Sequence, residues 1–313
     1  MSVIIRPLEE RDLAEADRIM RLAFGTYLNL PNPMEMFGDS DMARTRWRAD
    51  PSGALAAELD GRLVGSNFAA NWGSVGYFGP LSVEPELWNK GVARRLVEET
   101  VALFEGWNNR HTGLFTFPHS TKHVWLYQKF GFWPRFLTAV MAKDVAENQQ
   151  PSRYVAFSSL SEEQKRITLA LCRTLTDTIY EGLDLRIEIT AVDVQKLGDT
   201  LLLYDGERLE SFAVCHTGVG TEGGSGCCYV KFGAVRPGKH AAKNFAAMLA
   251  AVESYAAKRG LKQVEAGVNI AHIDAYRAML KAGYRSFIQG VLMHRDNDSG
   301  YARPDVFVID DWR

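Results

Sequence analysis

The sequence shows no strong charge bias, no long apolar run and no metal-ligand spacing. A formal net charge of −2 over 313 residues excludes a generally basic surface, so we expect no nucleic-acid partner. No apolar run approaches the roughly 18 to 20 residues that a membrane helix needs, so we expect no membrane partner either. The acidic start, MSVIIRPLEERD, lacks the apolar stretch of a secretory signal. These absences predict a cytoplasmic protein.

Cysteine and histidine are also sparse. The four cysteines include no C-x-x-C pair, and the seven histidines show no spacing typical of metal ligands. We therefore expect reduced thiols and no metal cofactor.

The length suits two domains, and the order of predicted elements is the same in both halves. Asp60-Gly61 and Asp205-Gly206 each predict a β-hairpin at the corresponding place. Val83-x-Pro85 lies 48 residues before Gly131, and Val235-x-Pro237 lies 48 residues before Gly283. The polar segment 146–152 predicts a linker, which gives domains at 1–147 and 152–313. We expect an α/β fold (α+β with a mixed sheet) that was duplicated.

A second segment is locally basic. Arg44, Arg46 and Arg48 lie within five residues and are flanked by aspartates. This pattern is typical of a solvated helix face, and we prefer that interpretation to a polyanion-binding patch.

The most informative stretch is LSVEPELWNKGVARRL, residues 81–96. A strand expected from about Tyr77 to Val83 leads into a loop, and small residues at Gly91 and Ala93 begin a helix. Free amides at a helix start, together with the helix dipole, can bind an anion such as a pyrophosphate. Lys90 and Arg94 add positive charge. The alternative is an ordinary strand-to-helix connection that contains a glycine.

These residues resemble the coenzyme-A loop of the GNAT-type N-acetyltransferases. The resemblance rests on Val83, Pro85, Gly91, Ala93 and Leu96, and on a second signature, LYQKFGF, at residues 126–132. It covers about 140 residues. Two positions depart from the family pattern: Trp88 replaces the usual Gln or Arg, and Ser120 replaces an Asn. The resemblance implies two tandem GNAT-like acyl-CoA N-acyltransferase domains.

The resemblance also implies where coenzyme A would lie. The strand would run beside the pantetheine arm, and the loop amides would hold the pyrophosphate. Ser120 would stand near the pantetheine at the start of the second motif. The implied coenzyme-binding residues are Leu81, Ser82, Val83, Asn89, Lys90, Gly91, Val92, Ala93, Arg94 and Ser120.

Acyl transfer needs a neutral amine and a proton for the departing thiolate. Tyr127 stands where the family keeps a tyrosine as general acid, although it could also be a core aromatic. Glu84 is the candidate general base, with a solvated loop carboxylate as the alternative. His119 is the second candidate base, and it could equally pack against or cap the following helix.

The segment that would line the acceptor site contains two aromatic and three acidic residues, a combination that suits a cationic amine. These candidate substrate-binding residues are Tyr27, Glu35, Phe37, Asp39 and Asp41.

The second half has lost these features. Lys243 and Phe245 align with Gly91 and Ala93, and Met279 aligns with Tyr127. We read this half as a degenerate copy, with its tail, residues 304–313, as a final strand closing its sheet.

Together with these residues, the resemblance implies an N-acyltransferase that moves an acetyl group from acetyl-CoA to an amine of a small molecule or peptide. Its active site would lie in the first half, and the protein would be a monomer or homodimer. The alternative is a non-catalytic acyl-CoA sensor or scaffold.

Overall fold

The computed structural model describes residues 3–146 and 149–313. Within the predicted linker, Glu147 and Asn148 lie outside the described residues, as do Met1 and Ser2. The predicted domain boundary at 147 and 152 therefore stays a prediction.

The two halves share their succession of elements except at two places: β4 and β5 correspond to the single strand β11, and β14 has no counterpart in the first half. The first half contains β1 (Ile4–Pro7), α1 (Leu13–Tyr27), α2 (Met42–Ala49), β2 (Ala54–Leu59), β3 (Arg62–Trp72), β4 (Val75–Phe78), β5 (Ser82–Val83), α3 (Val92–Gly106), β6 (His111–Thr116), α4 (Thr121–Gln128) and β7 (Phe132–Asp144). The second half contains β8 (Val155–Ala156), α5 (Glu162–Asp177), α6 (Arg186–Gln195), β9 (Gly198–Asp205), β10 (Arg208–Gly218), β11 (Gly224–Val235), α7 (Ala241–Lys258), β12 (Gln263–Asn269), α8 (Ile273–Lys281), β13 (Arg285–Arg295) and β14 (Val308–Ile309). Among the described helices, none has the length and apolarity to cross a membrane.

The fourteen strands found in the described residues belong to one continuous mixed sheet. Its main order is β1-β2-β3-β4-β6-β13-β7-β12-β11-β10-β9-β8. Strand β7, the last of the first half, pairs with β12 of the second half, and β13 of the second half pairs with β6 of the first. The two exchanged strands also pair with each other along most of their length. The halves are therefore joined through the centre of the sheet.

The two halves also share part of their hydrophobic core. Trp72 and Tyr77 of the first half pack in one buried cluster with Phe212, Phe232 and Leu292 of the second. Trp72 lies edge-on to Phe232, with ring centroids 5.4 Å apart. Burial of aromatic rings contributes strongly to packing energy, so this shared cluster stabilises both halves at once.

Local sequence signals predicted most elements correctly. Both Asp-Gly turns join the strand pairs β2–β3 and β9–β10. Ser161 and Gln164 form the predicted capping box at the start of α5. Such reciprocal bonds satisfy amides that a helix start leaves free.

Three predictions about strands were incomplete or wrong. The strand expected from Tyr77 to Val83 is interrupted, because Gly79–Leu81 separates β4 from β5. Strand β13 was not predicted. The tail forms only the short strand β14, which pairs with β11 inside the second half rather than closing the edge of the sheet.

The basic segment also differs from the prediction. Arg44 and Arg48 are exposed on α2, but the side chain of Arg46 is buried and pairs with Glu222 of the second half at 2.7 Å. Arg46 also donates to the main-chain oxygens of Gly79 and Arg313. It therefore connects α2, the interrupted strand and the tail.

The shared sheet predicts that the first half does not fold alone. Residues 1–150 expressed by themselves would leave β6 without β13 and β7 without either neighbour, exposing apolar surface and free strand edges. We expect an aggregated or inactive fragment in size-exclusion chromatography and thiol-release assays. Co-expression of 1–150 with 151–313 as separate chains is the control and should restore a soluble complex. A monodisperse fragment with full turnover would contradict the prediction.

Candidate active site

A cavity of about 820 Å³ lies where α1, the β5–α3 loop and α4 meet the second half. Cavities of this size hold ligands of the size of drugs and cofactors. Most of its lining is apolar, with a few polar groups at defined positions. Among the predicted site residues, those that line it are Tyr27, Phe37, Leu81, Ser82, Val83, Asn89, Gly91, Val92, Ala93, Arg94 and Tyr127.

The start of α3 presents unoccupied backbone amides to this cavity. Gly91 is the N-cap residue with φ 86°, and no side chain caps the helix. The first helical bond runs from the Arg95 amide to the Gly91 carbonyl, so the amides of Val92, Ala93 and Arg94 have no partner within the helix. A Cβ added at Gly91 would meet no atom within 4 Å. The left-handed conformation favours glycine here, and the space beside it is open.

Trp88 holds the loop in place. Its indole N–H donates to the Val83 carbonyl at 2.8 Å, and the Lys122 ammonium lies 5.0 Å from its ring centroid. The residue that departs from the family pattern thus ties the loop to β5 on one side and to α4 on the other. Trp88 also lines the cavity, so its ring forms part of the wall.

A gap in the sheet forms the floor of the cavity. Strands β4 and β6 pair in parallel only as far as Phe78 and Leu114. Beyond that point, β5 pairs with β3 on one side. The residues that face each other across the gap, 79–83 and 115–117, all line the cavity. An extended ligand could therefore lie beside β5 and use its free edge.

Tyr127 lies at the bottom of the cavity and is 7% exposed. Its ring packs edge-on against Phe78, with centroids 5.7 Å apart. Burial raises the pKa of its hydroxyl above the usual value of 10, because the charged phenolate is disfavoured in an apolar setting. Tyr127 therefore stays protonated at neutral pH and can donate a proton.

Glu84 does not fit the role of general base. Its two carboxylate oxygens accept from Arg18 and Arg62, each at 2.8 Å, and the residue is not part of the cavity wall. Both of its oxygens are therefore engaged by guanidinium groups away from the cavity. The prediction is corrected on this point: Glu84 anchors α1 and β3 beneath the loop.

A histidine that we did not predict lines the cavity. His123 lines the cavity one turn before Tyr127 on α4, and its Nδ1 lies 2.9 Å from the Ser120 hydroxyl. Burial lowers the pKa of its ring, so the neutral form prevails at neutral pH. The i, i+4 spacing from Tyr127 was visible in the sequence and could have indicated it. His119 is exposed and bonds to the Tyr27 hydroxyl at 3.3 Å.

The acidic residues predicted for the acceptor site point elsewhere. Glu35 accepts from Asn32 at 3.0 Å, Asp39 accepts from the Ser225 amide at 3.0 Å, and Asp41 caps α2 through the Arg44 amide at 2.9 Å. None of the three lines the cavity. Tyr27 and Phe37 do, so the aromatic part of the prediction matches the cavity and the acidic part is corrected.

Two residues of the predicted coenzyme set also lie off the cavity. Lys90 is exposed outside its lining, and Ser120 is buried with its hydroxyl on His123. Ser120 therefore acts on the site through His123.

The second half supplies one wall of the cavity. Its contributions are Glu222, Gly223, Tyr229, Glu265, Ile288, Trp312 and Arg313. The tail reaches this position because Gly113 has no side chain: a Cβ there would meet the Trp312 ring at 2.4 Å. No local pattern could have shown these residues, since strand exchange brings them here. Within the described residues, no group of His, Cys, Asp or Glu is arranged to hold a metal ion.

The corresponding place in the second half is filled. Phe245 and Met279 are fully buried in one core cluster, and Lys243 is exposed at the start of α7. Strand β14 pairs with Gly233 and Ala234, which align with Leu81 and Ser82 of the first half. The chain's own tail thus occupies the gap that stays open in the first half.

Comparison with known proteins agrees with this geometry. Residues 18–132 match the sequence model of the acetyltransferase (GNAT) family. No curated relative matches the chain.

Solved structures of similar fold cover almost the whole chain. A putative acetyltransferase from Pyrococcus horikoshii is 14% identical with a TM-score of 0.70, over 99% of this chain and 95% of that one. A GCN5-related N-acetyltransferase from Sphaerobacter thermophilus is 17% identical with a TM-score of 0.58, over 94% and 95%. One from Anabaena variabilis is 12% identical with a TM-score of 0.55, over 96% and 75%. At these identities the likeness establishes the fold, and it does so for both halves.

Proposed function

Because residues 18–132 form a domain of the GNAT acetyltransferase family, we propose that the chain is an acyl-CoA-dependent N-acyltransferase. The donor is acetyl-CoA, the acceptor is an amine, and the one active site lies in the first half. The observation that carries this proposal is that the uncapped amides of α3 and the protonated Tyr127 open on the same cavity.

The residues present fit coenzyme A. The amides of Val92, Ala93 and Arg94 would hold the pyrophosphate at the dipole end of α3, with the Arg94 side chain adding charge. Lys122 lies at the same mouth of the cavity, on Trp88. The pantetheine arm would extend along β5 through the gap in the sheet.

The chemistry needs two proton transfers. The neutral amine nitrogen attacks the thioester carbonyl carbon, the carbon–sulfur bond breaks, and an amide and a thiolate result. Tyr127 donates its proton to the thiolate, and His123 takes the proton that the amine loses. The hydrogen bond to Ser120 fixes the His123 ring, which leaves Nε2 as the nitrogen available for this transfer.

The occupied gap of the second half explains why only one site is proposed. Strand β14 pairs where the pantetheine would lie, and Phe245 occupies the core where Ala93 borders open space. Binding a second coenzyme A would require displacing both.

Calorimetry should therefore find one coenzyme A per chain. Ala93→Glu should weaken binding roughly 100-fold or more, because a carboxylate would stand a few ångströms from the pyrophosphate in a partly buried site. Ala102→Glu, an exposed position on the same helix, is the matched control and should bind normally. Two equivalent sites, or unchanged affinity in Ala93→Glu, would refute this placement.

The phenol of Tyr127 should matter for turnover rather than for coenzyme affinity. Tyr127→Phe should lower kcat roughly ten- to a thousandfold, because the proton is needed only as the thiolate departs. Coenzyme affinity should stay within about twofold. The control is Tyr204→Phe, a partly buried tyrosine outside the cavity. If Tyr127→Phe keeps full activity, Tyr127 is not the proton donor and serves only in packing.

The pH profile should separate the two candidate bases. Turnover should fall on the acid side with an apparent pKa below 6.5, because burial lowers the pKa of His123 and only its neutral form accepts a proton. Since the pKa of Tyr127 is raised above 10, ionisation of its hydroxyl should not lower turnover near pH 9. His123→Gln should remove the acid limb, whereas His119→Gln should retain it. The reverse result would assign the base to His119.

A further inference from the structure

The part of the cavity shared by the two halves has a distinct chemical character. First-half side chains Phe24, Tyr27 and Phe37 and second-half side chains Tyr229, Ile288 and Trp312 line it, and we call these six residues the apolar chamber. Phe24 and Phe37 pack edge-on with centroids 5.4 Å apart, and Tyr27 packs against His123 at 5.2 Å. The chamber therefore extends to the candidate base.

The carboxylates on this wall pair with basic side chains of the protein. Glu222 accepts from Lys231 at 2.7 Å and pairs with Arg46, and Glu265 lies 3.4 Å from the Arg313 guanidinium. Burial acts to raise the pKa of Glu222, but Arg46 and Lys231 hold it well below its usual range. Glu265 shares the Arg313 guanidinium with Asp311, which lies closer at 2.8 Å, so this wall offers a cationic ligand at most one partly compensated carboxylate.

A polycation would be poorly held in such a place. Each additional ammonium group would lose its hydration without gaining an anionic partner, and burying an unpaired charge is costly. A compound with one amine on an apolar group would bind more favourably than a polycation. Its apolar part gains by leaving water, and the apolar surroundings lower the pKa of its ammonium, which aids proton removal.

We infer that the acceptor is a primary monoamine that carries an aromatic or similarly bulky apolar group, and that the apolar chamber binds that group. This inference rests on the proposed acyl transfer. The second half thereby contributes to acceptor selectivity, because Ile288 and Trp312 line the same cavity as the first-half aromatics. The reaction converts the amine and acetyl-CoA to an N-acetyl amide and free coenzyme A.

The test compares 2-phenylethylamine with spermidine as acceptors, using acetyl-CoA and thiol release. We expect kcat/KM to favour 2-phenylethylamine roughly 10- to 100-fold, the range expected for burial of an aromatic side group. Calorimetric titration of each amine into the coenzyme-A complex should give the same ranking without turnover. A preference for spermidine in either measurement would overturn the inference.

A charge placed in the chamber provides the matched variant. Ile288→Asp should lower kcat/KM for 2-phenylethylamine at least about tenfold. It should thereby reduce the difference in kcat/KM between 2-phenylethylamine and spermidine, with coenzyme affinity unchanged. Ile167→Asp, at an exposed isoleucine on α5 outside the cavity, should alter neither amine. Unchanged selectivity in Ile288→Asp would overturn the assignment of the chamber.

Two further outcomes separate this inference from the proposed function. If octanoyl-CoA is preferred over acetyl-CoA and the amine ranking disappears, the chamber holds the acyl chain and the inference is wrong while acyl transfer stands. If no amine releases thiol although coenzyme A binds, the proposed function is wrong. The calorimetric ranking then still decides whether the chamber selects apolar amines.

Discussion

The exchange of β7 and β13 is the constraint on which the rest of the structure depends. Each strand has its sequence neighbours in one half and its hydrogen-bonding partners in the other. Backbone pairing in the middle of a sheet must be satisfied, so neither half has a complete sheet without the other. The candidate active site inherits this dependence, because β13 carries Ile288 to the cavity that the first half opens. The first half therefore needs the second to complete its sheet, whether or not the second half binds a ligand of its own.

The buried cluster around Arg46 connects that architecture to the site. Arg46 reaches Glu222, the Gly79 carbonyl and the Arg313 carbonyl from α2. It therefore fixes the start of the sheet gap relative to the tail that lines the opposite wall. Removing one partner of a buried ion pair generally costs about 3–5 kcal/mol, because the remaining charge stays desolvated. The same pairing compensates the charge of Glu222 at the cavity, so a structural contact also sets the chemical character of this wall.

Local patterns in the sequence predicted most of the local structure and many of the residues that line the first-half side of the cavity. Gly91, Ala93 and Tyr127 belong to continuous segments whose turns and helix starts depend on neighbouring residues, and all three line the cavity. The acceptor side could not be predicted in this way. Asp39 was expected to bind a substrate amine, but it bonds to Ser225, a residue 186 positions away. Arg46 was expected to be solvated on its helix face, because its partner Glu222 lies in the other half and is not visible in the local pattern. Strand β13 was missed because its partners come from the first half, and the pattern of one half does not reveal them.

The two halves show what decides whether this fold keeps a ligand site. In both, a parallel strand pair separates towards one end and leaves an edge without a partner on that side. In the second half the tail strand β14 pairs with that edge. Its backbone forms hydrogen bonds with β11 and thereby closes the gap. In the first half no strand among the described residues enters the gap, and Gly91 and Ala93 keep bulk away from the adjacent helix start. After β14, the same tail continues to Trp312 and Arg313, which line the first cavity. One segment therefore closes the second gap and completes the wall of the first, and the asymmetry of the duplicated fold follows from where that single tail runs.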